Sequence, residues 1–284
     1  MKPPETLRHS LTRALTIAGF DPSGGAGVLA DSRTFIALAC RPSAVITSIT
    51  YQNAEGVLGA IHQSAQAVRG QVLPLLNGPF ACAKTGMLPT SEVVIEVARL
   101  FRETKLPAPV VDPVMISSSG QRLMEEHALE ALISELLPLA RLLTPNIPEA
   151  ERLASIEITS EAGMREAASA IRRMGARAVL IKGGHLRTRR QEQEAGAGDE
   201  TWLRNSIDSH DSVDDSEEAL DVLDNDGVVT VFRQRRVPNV DLHGTGCILS
   251  AAIAAGLGKG VTLEESVGLA KQFVLELICQ EAKP

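Results

Sequence analysis

Residues 15–31 read LTIAGFDPSGGAGVLAD, and their order of residue types decides the fold. A short apolar run, LTIAG, leads into FDPSGGAG, a loop with glycines at 24, 25 and 27. VLAD then opens an apolar stretch of helical period. Strand, glycine-rich turn and helix in that order begin a βα unit. The same alternation recurs along the chain. Strands are expected at 14–18, 44–49, 81–85, 109–112, 141–144, 178–182 and 228–233. Helices are expected at 28–38, 65–76, 91–103, 125–137, 147–153, 161–174, 246–257 and 263–279. Such spacing predicts an α/β protein with a mostly parallel sheet and helices on both faces. No self-similarity at 20–50 residues points to a solenoid.

Composition agrees. The chain has 284 residues, 44% hydrophobic and 22% charged, which suits a globular body rather than a disordered one. Only eight aromatic side chains occur, so the core must come from Ala, Val, Ile and Leu. That favours a helix-covered parallel sheet, and it argues against stacking readout of single-stranded nucleic acid. The net charge of −7 is concentrated in residues 187–218, which carry four Arg and ten acidic residues. No basic field for a phosphate backbone is left, so no nucleic-acid partner is expected. Residues 187–218, with Trp202, read as an acidic surface insertion, and residues 1–13 as a loose tail. The whole of 1–284 reads as one domain carrying that tail and insertion. Four widely spaced cysteines form no CxxC pair, no apolar run approaches membrane-spanning length, and the first residues lack a signal-peptide pattern. A cytoplasmic protein without membrane contact is expected.

In an open parallel sheet, ligands bind beyond the carboxyl ends of the strands. Those ends are followed here by GFDPSGGAG, TYQN, KTGML, DPVM, TPNIPE and KGGH. The most informative string is His243-Gly244-Thr245-Gly246-Cys247, just before an Ala-rich apolar helix. Its glycines permit close backbone approach, and the helix start offers free N–H groups to an anion such as a transferring phosphoryl group. The same field should lower a thiol pKa, which makes Cys247 a thiolate-rich cysteine on this reading. A tight turn with a small buried Cys reads the string equally well. Asn146 and Glu149 flank Pro148 at i, i+3 spacing, and Asp112 ends another strand. Oxygen ligands of this kind suit Mg²⁺, and a helix cap is the competing reading. Lys182 before Gly183-Gly184 could neutralise phosphates, or be a surface lysine beside a turn. The Asp21–Gly27 loop fits neither a Walker nor a dinucleotide pattern. His185 and His243 lack partners at metal spacing and read as structural or positioning groups.

Taken together, the strings LTIAGFDPSGGAGVLAD, AVITSITYQNAEGV, KTGML, VVDPVM, LLTPNIPEAERL, VLIKGGHL and HGTGCILSAAIAAGLGKG resemble the hydroxymethylpyrimidine/phosphomethylpyrimidine kinases of thiamine biosynthesis, within the ribokinase-like superfamily. They occur in the family's order over residues 15–271. The resemblance implies a three-layer α/β/α ribokinase-like fold, a homodimer, and ATP with Mg²⁺ as cosubstrate and cofactor. It also implies phosphorylation of 4-amino-5-hydroxymethyl-2-methylpyrimidine and then of its monophosphate. By motif, Gln52 would bond the aminopyrimidine, Met87 and Val114 would wall it, and Gly19 and Asp21 would face it. Asp112 and Glu149 would organise Mg²⁺, while Thr144, Asn146 and Lys182 would lie toward ATP. Gly244, Thr245 and Gly246 would form the anion hole, with Cys247 as base. Phe20 and Tyr51 are bulkier than the family's usual residues, which bears on pocket shape. The alternatives are a pyridoxal/pyridoxine or dual-specificity kinase, and a catalytically silent pyrimidine sensor.

Overall fold

The computed structural model describes residues 12–53, 56–117, 120–184, 218–237 and 243–281. Most of the expected tail and acidic insertion, with Trp202 and His185, lies outside these residues. Of the residues read as tail or insertion, Thr12 and Arg13 belong to the first strand and Glu218 opens the eighth.

Nine strands form one sheet in the order β3-β2-β1-β4-β5-β6-β7-β8-β9. They are β1 (Thr12–Phe20), β2 (Cys40–Asn53), β3 (Gly56–His62), β4 (Cys82–Thr85), β5 (Val110–Val111), β6 (Leu142–Leu143), β7 (Ala178–Gly183), β8 (Glu218–Asn225) and β9 (Val228–Arg235). From β2 to β7 every neighbour is parallel; β3, β8 and β9 join antiparallel. The expected strand at 44–49 is longer at both ends, so TYQN lies in β2 rather than in a loop. β3 and β8 were not foreseen.

Among the described residues there are eight α-helices, of which the last two follow β9: α1 (Gly27–Ala37), α2 (Ala65–Val72), α3 (Ser91–Glu103), α4 (Glu126–Ala131), α5 (Ile147–Ala154), α6 (Glu161–Arg173), α7 (Thr245–Gly258) and α8 (Leu263–Glu281). The expected helices at 65–76 and 125–137 tighten or widen in their last turns. Residues Leu73–Leu76 are 3₁₀, and Leu132–Leu136 make a π turn ahead of Pro138. Ser64, Thr90 and Ser160 cap α2, α3 and α6, each accepting from the backbone N–H three residues on.

Successive β1 side chains point to opposite faces, and each face has its own core. Leu15 and Ile17 pack with residues of α2 through α6, whereas Ala14 packs with Phe35 of α1 and with α7 and α8. Helix α7 is buried from Ile248 through Ala255, and its alanines let it lie close under the sheet. The chain leaves β1 toward β2 on one side and returns to β4 on the other. That reversal opens a crevice at the carboxyl ends of β1 and β4, where ligands bind in sheets of this kind.

Candidate active site

A cavity of about 910 Å³ occupies this crevice. Gly19, Asp21, Gln52, Met87, Asp112, Val114, Asn146, Glu149, Lys182 and the run Gly244 to Cys247 all line it. The fold therefore brings together residues from seven separate strings. Thr144 is the exception. It is fully buried, absent from the cavity lining, and its hydroxyl donates to Asp112 Oδ1 at 3.2 Å.

One end of the cavity is built by interlocked loops. Gly244 caps α7 with φ +83°, and a Cβ there would collide with the Gly25 carbonyl oxygen. Glycine is thus required where the two glycine-rich loops cross. Residues Thr245 to Cys247 follow as the first turn of α7 and line the cavity, and N–H groups of a first turn have no intrahelical partner. Lys182 Nζ lies 3.1 Å from where a Cβ on Gly246 would stand, so a cation borders the helix start. That same Nζ donates to Asp112 Oδ1 at 2.8 Å.

Asn146 and Glu149 do form the helix cap that was the plainer reading. Asn146 Oδ1 accepts from the Glu149 N–H, and Glu149 Oε2 accepts from the Asn146 N–H, both at 2.9 Å. Glu149 Oε1 also takes the Met115 N–H at 3.3 Å, while the carboxylate still lines the cavity. Burial pushes Glu149 up to about 7, against the pull of Lys182 and with a push from Asp112. Burial would raise Asp112 too, but Lys182 and Lys84 outweigh it and hold that carboxyl below its ordinary range. Among the described residues no three metal-ligating side chains cluster. Two carboxylates suit a divalent ion only if further oxygens arrive with a ligand, which is how Mg²⁺ is commonly held beside phosphates.

Cys247 departs from expectation. Part of the residue is open to the cavity, but burial pushes its thiol up to about 11, against the pull of Lys84 and the Gly27 N–H. Desolvation of the charged form outweighs the helix start, so the unliganded protein holds a thiol rather than a thiolate.

The glycine-rich loop after β1 is pinned by Asp21. Its Oδ1 accepts from the Ser23 N–H and hydroxyl, at 2.8 and 2.7 Å, and its Oδ2 from the Ala26 N–H at 2.8 Å. Met87 Sδ sits 3.1 Å from where a Cβ on Gly19 would be, so glycine makes room for that wall. Strand alternation sends Gln52 into the cavity and leaves Tyr51 half exposed against Gly59. Of the two bulky departures, only Phe20 shapes the pocket.

The match to a family model closes the question of kinship. The model described as phosphomethylpyrimidine kinase matches residues 21–284. The chain belongs to that family. A hydroxymethylpyrimidine/phosphomethylpyrimidine kinase from Rhizobium meliloti is 40% identical over 263 residues, covering 92% of this chain and 88% of its own. The thiamine biosynthesis bifunctional protein ThiED from Geobacter sulfurreducens is 37% identical over 93% of this chain but only 48% of its own. Among solved structures, phosphomethylpyrimidine kinase from Clostridium difficile superposes with a TM-score of 0.74 at 34% identity, covering 94% and 99% of the two chains. Pyridoxal kinase from Staphylococcus aureus, solved with AMP-PCP and pyridoxal, gives 0.76 at 28% identity, covering 94% and 87%.

Several residues at or beneath the phosphomethylpyrimidine kinase site escaped the sequence reading. Lys84 and Asp31 form a fully buried ion pair at 2.9 Å beneath it, closed by the Thr16 hydroxyl at 2.6 Å. A charged residue inside the four-residue buried strand CAKT was the available signal. Asp221 and Lys271, paired at 2.5 Å, line the far end with Arg235 and Arg236. Nothing local marked Asp221, because β8 itself was unforeseen.

Proposed function

We propose that this chain transfers the γ-phosphoryl group of ATP to the hydroxymethyl oxygen of 4-amino-5-hydroxymethyl-2-methylpyrimidine, then phosphorylates the monophosphate to the pyrophosphate, in thiamine biosynthesis. The observation that carries the reading is the convergence of Gln52, Met87 and Val114 with the Gly244–Cys247 helix start in one cavity of a family member. The fold behind it is the three-layer α/β/α ribokinase-like architecture, supported by helices on both faces of the sheet. The protein works as a homodimer in the reducing cytoplasm; its four free cysteines accord with that compartment. Among the described residues no helix is long and apolar enough to cross a membrane.

Gln52, Met87 and Val114 hold the aminopyrimidine with its hydroxymethyl group toward Cys247. The N–H groups of Thr245, Gly246 and Cys247 take the negative charge of the phosphoryl group, with Lys182 alongside. Asn146 lies toward the nucleotide. Asp112 and Glu149 would hold Mg²⁺, which when bound neutralises phosphate charge. As the hydroxyl oxygen bonds to phosphorus and the bridge to ADP breaks, the hydroxyl proton passes to the Cys247 sulfur in its thiolate form. In a loose phosphoryl-transfer transition state that proton leaves late, so a base that is mostly protonated at rest still serves.

Pyridoxal kinase is the second reading, favoured by the likeness to the Staphylococcus aureus structure. Purified protein with Mg²⁺ and ATP should convert both the hydroxymethylpyrimidine and its monophosphate, identified by product mass, and leave ribose untouched. Turnover with pyridoxal alone would overturn the pyrimidine assignment. Tight pyrimidine binding without turnover would make the chain a sensor.

A further inference from the structure

His243 stands between the two loops that meet at the substrate end, and its imidazole Nε2 faces two neighbours at once. Gln52 Nε2 is 3.3 Å away and Asp21 Oδ2 is 3.4 Å away. The ring lies over Gly25, where a Cβ would run into the imidazole, so this packing needs glycine at 25. One ring nitrogen cannot both accept from an amide and donate to a carboxylate. Asp21 is already supplied with three donors, from Ser23 and Ala26, whereas the Gln52 amide nitrogen points at the ring.

We propose that His243 is a specificity-determining positioning residue: it accepts from the Gln52 amide NH₂ and so turns the Gln52 carbonyl oxygen toward the substrate. The inference rests on the pyrimidine kinase reading above. Its chemical consequence is discrimination between rings that carry the same hydroxymethyl group. In the aminopyrimidine, the carbon beside the hydroxymethyl-bearing carbon carries an amino group, a donor that pairs with a carbonyl oxygen. In pyridoxal that place holds a formyl group, an acceptor that would face the same oxygen without a hydrogen between them. A flipped Gln52 would reverse the preference. A single amide held one way round thus selects the amino-bearing ring, since a site whose polar group is left unpaired rejects the analogue.

The test is binding and turnover of both rings by the full-length protein carrying His243→Ala or His243→Gln, each alone and His243→Ala also combined with Gln52→Ala. Calorimetry without ATP gives Kd, and product formation gives kcat and KM. We expect His243→Ala to weaken aminopyrimidine binding about tenfold, mainly through Kd and KM. The preference for aminopyrimidine over pyridoxal should narrow by a similar factor. His243→Gln, whose side-chain oxygen can stand in for Nε2, should restore most of both. In the Gln52→Ala background, His243→Ala should leave the preference unchanged. Equal losses for both rings, or a fall in kcat with Kd unchanged, would overturn the assignment and make His243 a strut of the anion loop. An unaltered protein that neither binds nor converts the aminopyrimidine would instead refute the pyrimidine reading itself, and this inference with it.

Discussion

At Cys247 two effects oppose each other, and their balance has a measurable sign. The first turn of α7 and the Gly27 N–H favour a thiolate, whereas burial favours the thiol and raises the pKa to about 11. A base must lose its proton before it can act, so below that pKa its active fraction grows about tenfold per pH unit. The kcat/KM of the unaltered protein should therefore climb through the neutral range with no plateau before alkaline pH. Cys247→Asp places an intrinsically more acidic group there and should bring the plateau toward acid pH. Superimposable profiles for the two proteins would remove Cys247 from the role of base. The motif HGTGC was readable in the sequence because two glycines before an apolar helix have a local meaning. The thiol's protonation was not, because desolvation depends on what the fold packs around it. Asn146 and Glu149 show the reverse case: their spacing offered a helix cap and a pair of oxygen ligands as competing readings, and the fold shows a capping carboxylate that also belongs to a cavity-lining residue.

Between elements, the Lys84–Asp31 pair ties β4 to α1 directly beneath the site. Both side chains are fully buried, and Asp31 Oδ1 and Oδ2 each accept from Lys84 Nζ at 2.9 Å. Burial and Asp31 push Lys84 in opposite directions, with Asp31, helped by Asp112, holding the ammonium charged. Removing one partner strands the other charge, which costs about 3–5 kcal/mol. Thermal and urea unfolding of Lys84→Met should show a loss of that order, and Lys84→Met with Asp31→Leu should recover most of it. A single-variant loss under about 1 kcal/mol would mean that the pair is dispensable. Strands with apolar runs were legible at this scale. β8 was not, because EALDVLDN adjoins the acidic run and carries its own aspartates. Their cost is met only in three dimensions, where Asp221 pairs with Lys271 and Asp224 with Arg172. β3 was hidden for another reason: GVLGAIH is a partly exposed edge strand with two glycines and no clear alternation.

Over the whole molecule, the sheet order is what gathers the site. The reversal between β2 and β4 around β1 sets the substrate loop, the KTGML turn and the start of α7 around one crevice. The alternation of strands and helices made that architecture legible, and the shared order of motifs made the family legible. Which residues line the cavity and which are buried away from its lining, as Thr144 is, follows from register and burial that no string of residues records. One crevice also implies one set of phosphate-handling groups for both phosphorylations. The direct test is a mass-resolved time course with excess ATP and Mg²⁺, run on the unaltered protein and on Cys247→Ala, with aminopyrimidine Kd measured alongside. The unaltered protein should release monophosphate and then pyrophosphate. Cys247→Ala should slow both steps together by about 10²-fold or more while binding is retained. Either step proceeding at its original rate in Cys247→Ala would contradict a single site acting through Cys247.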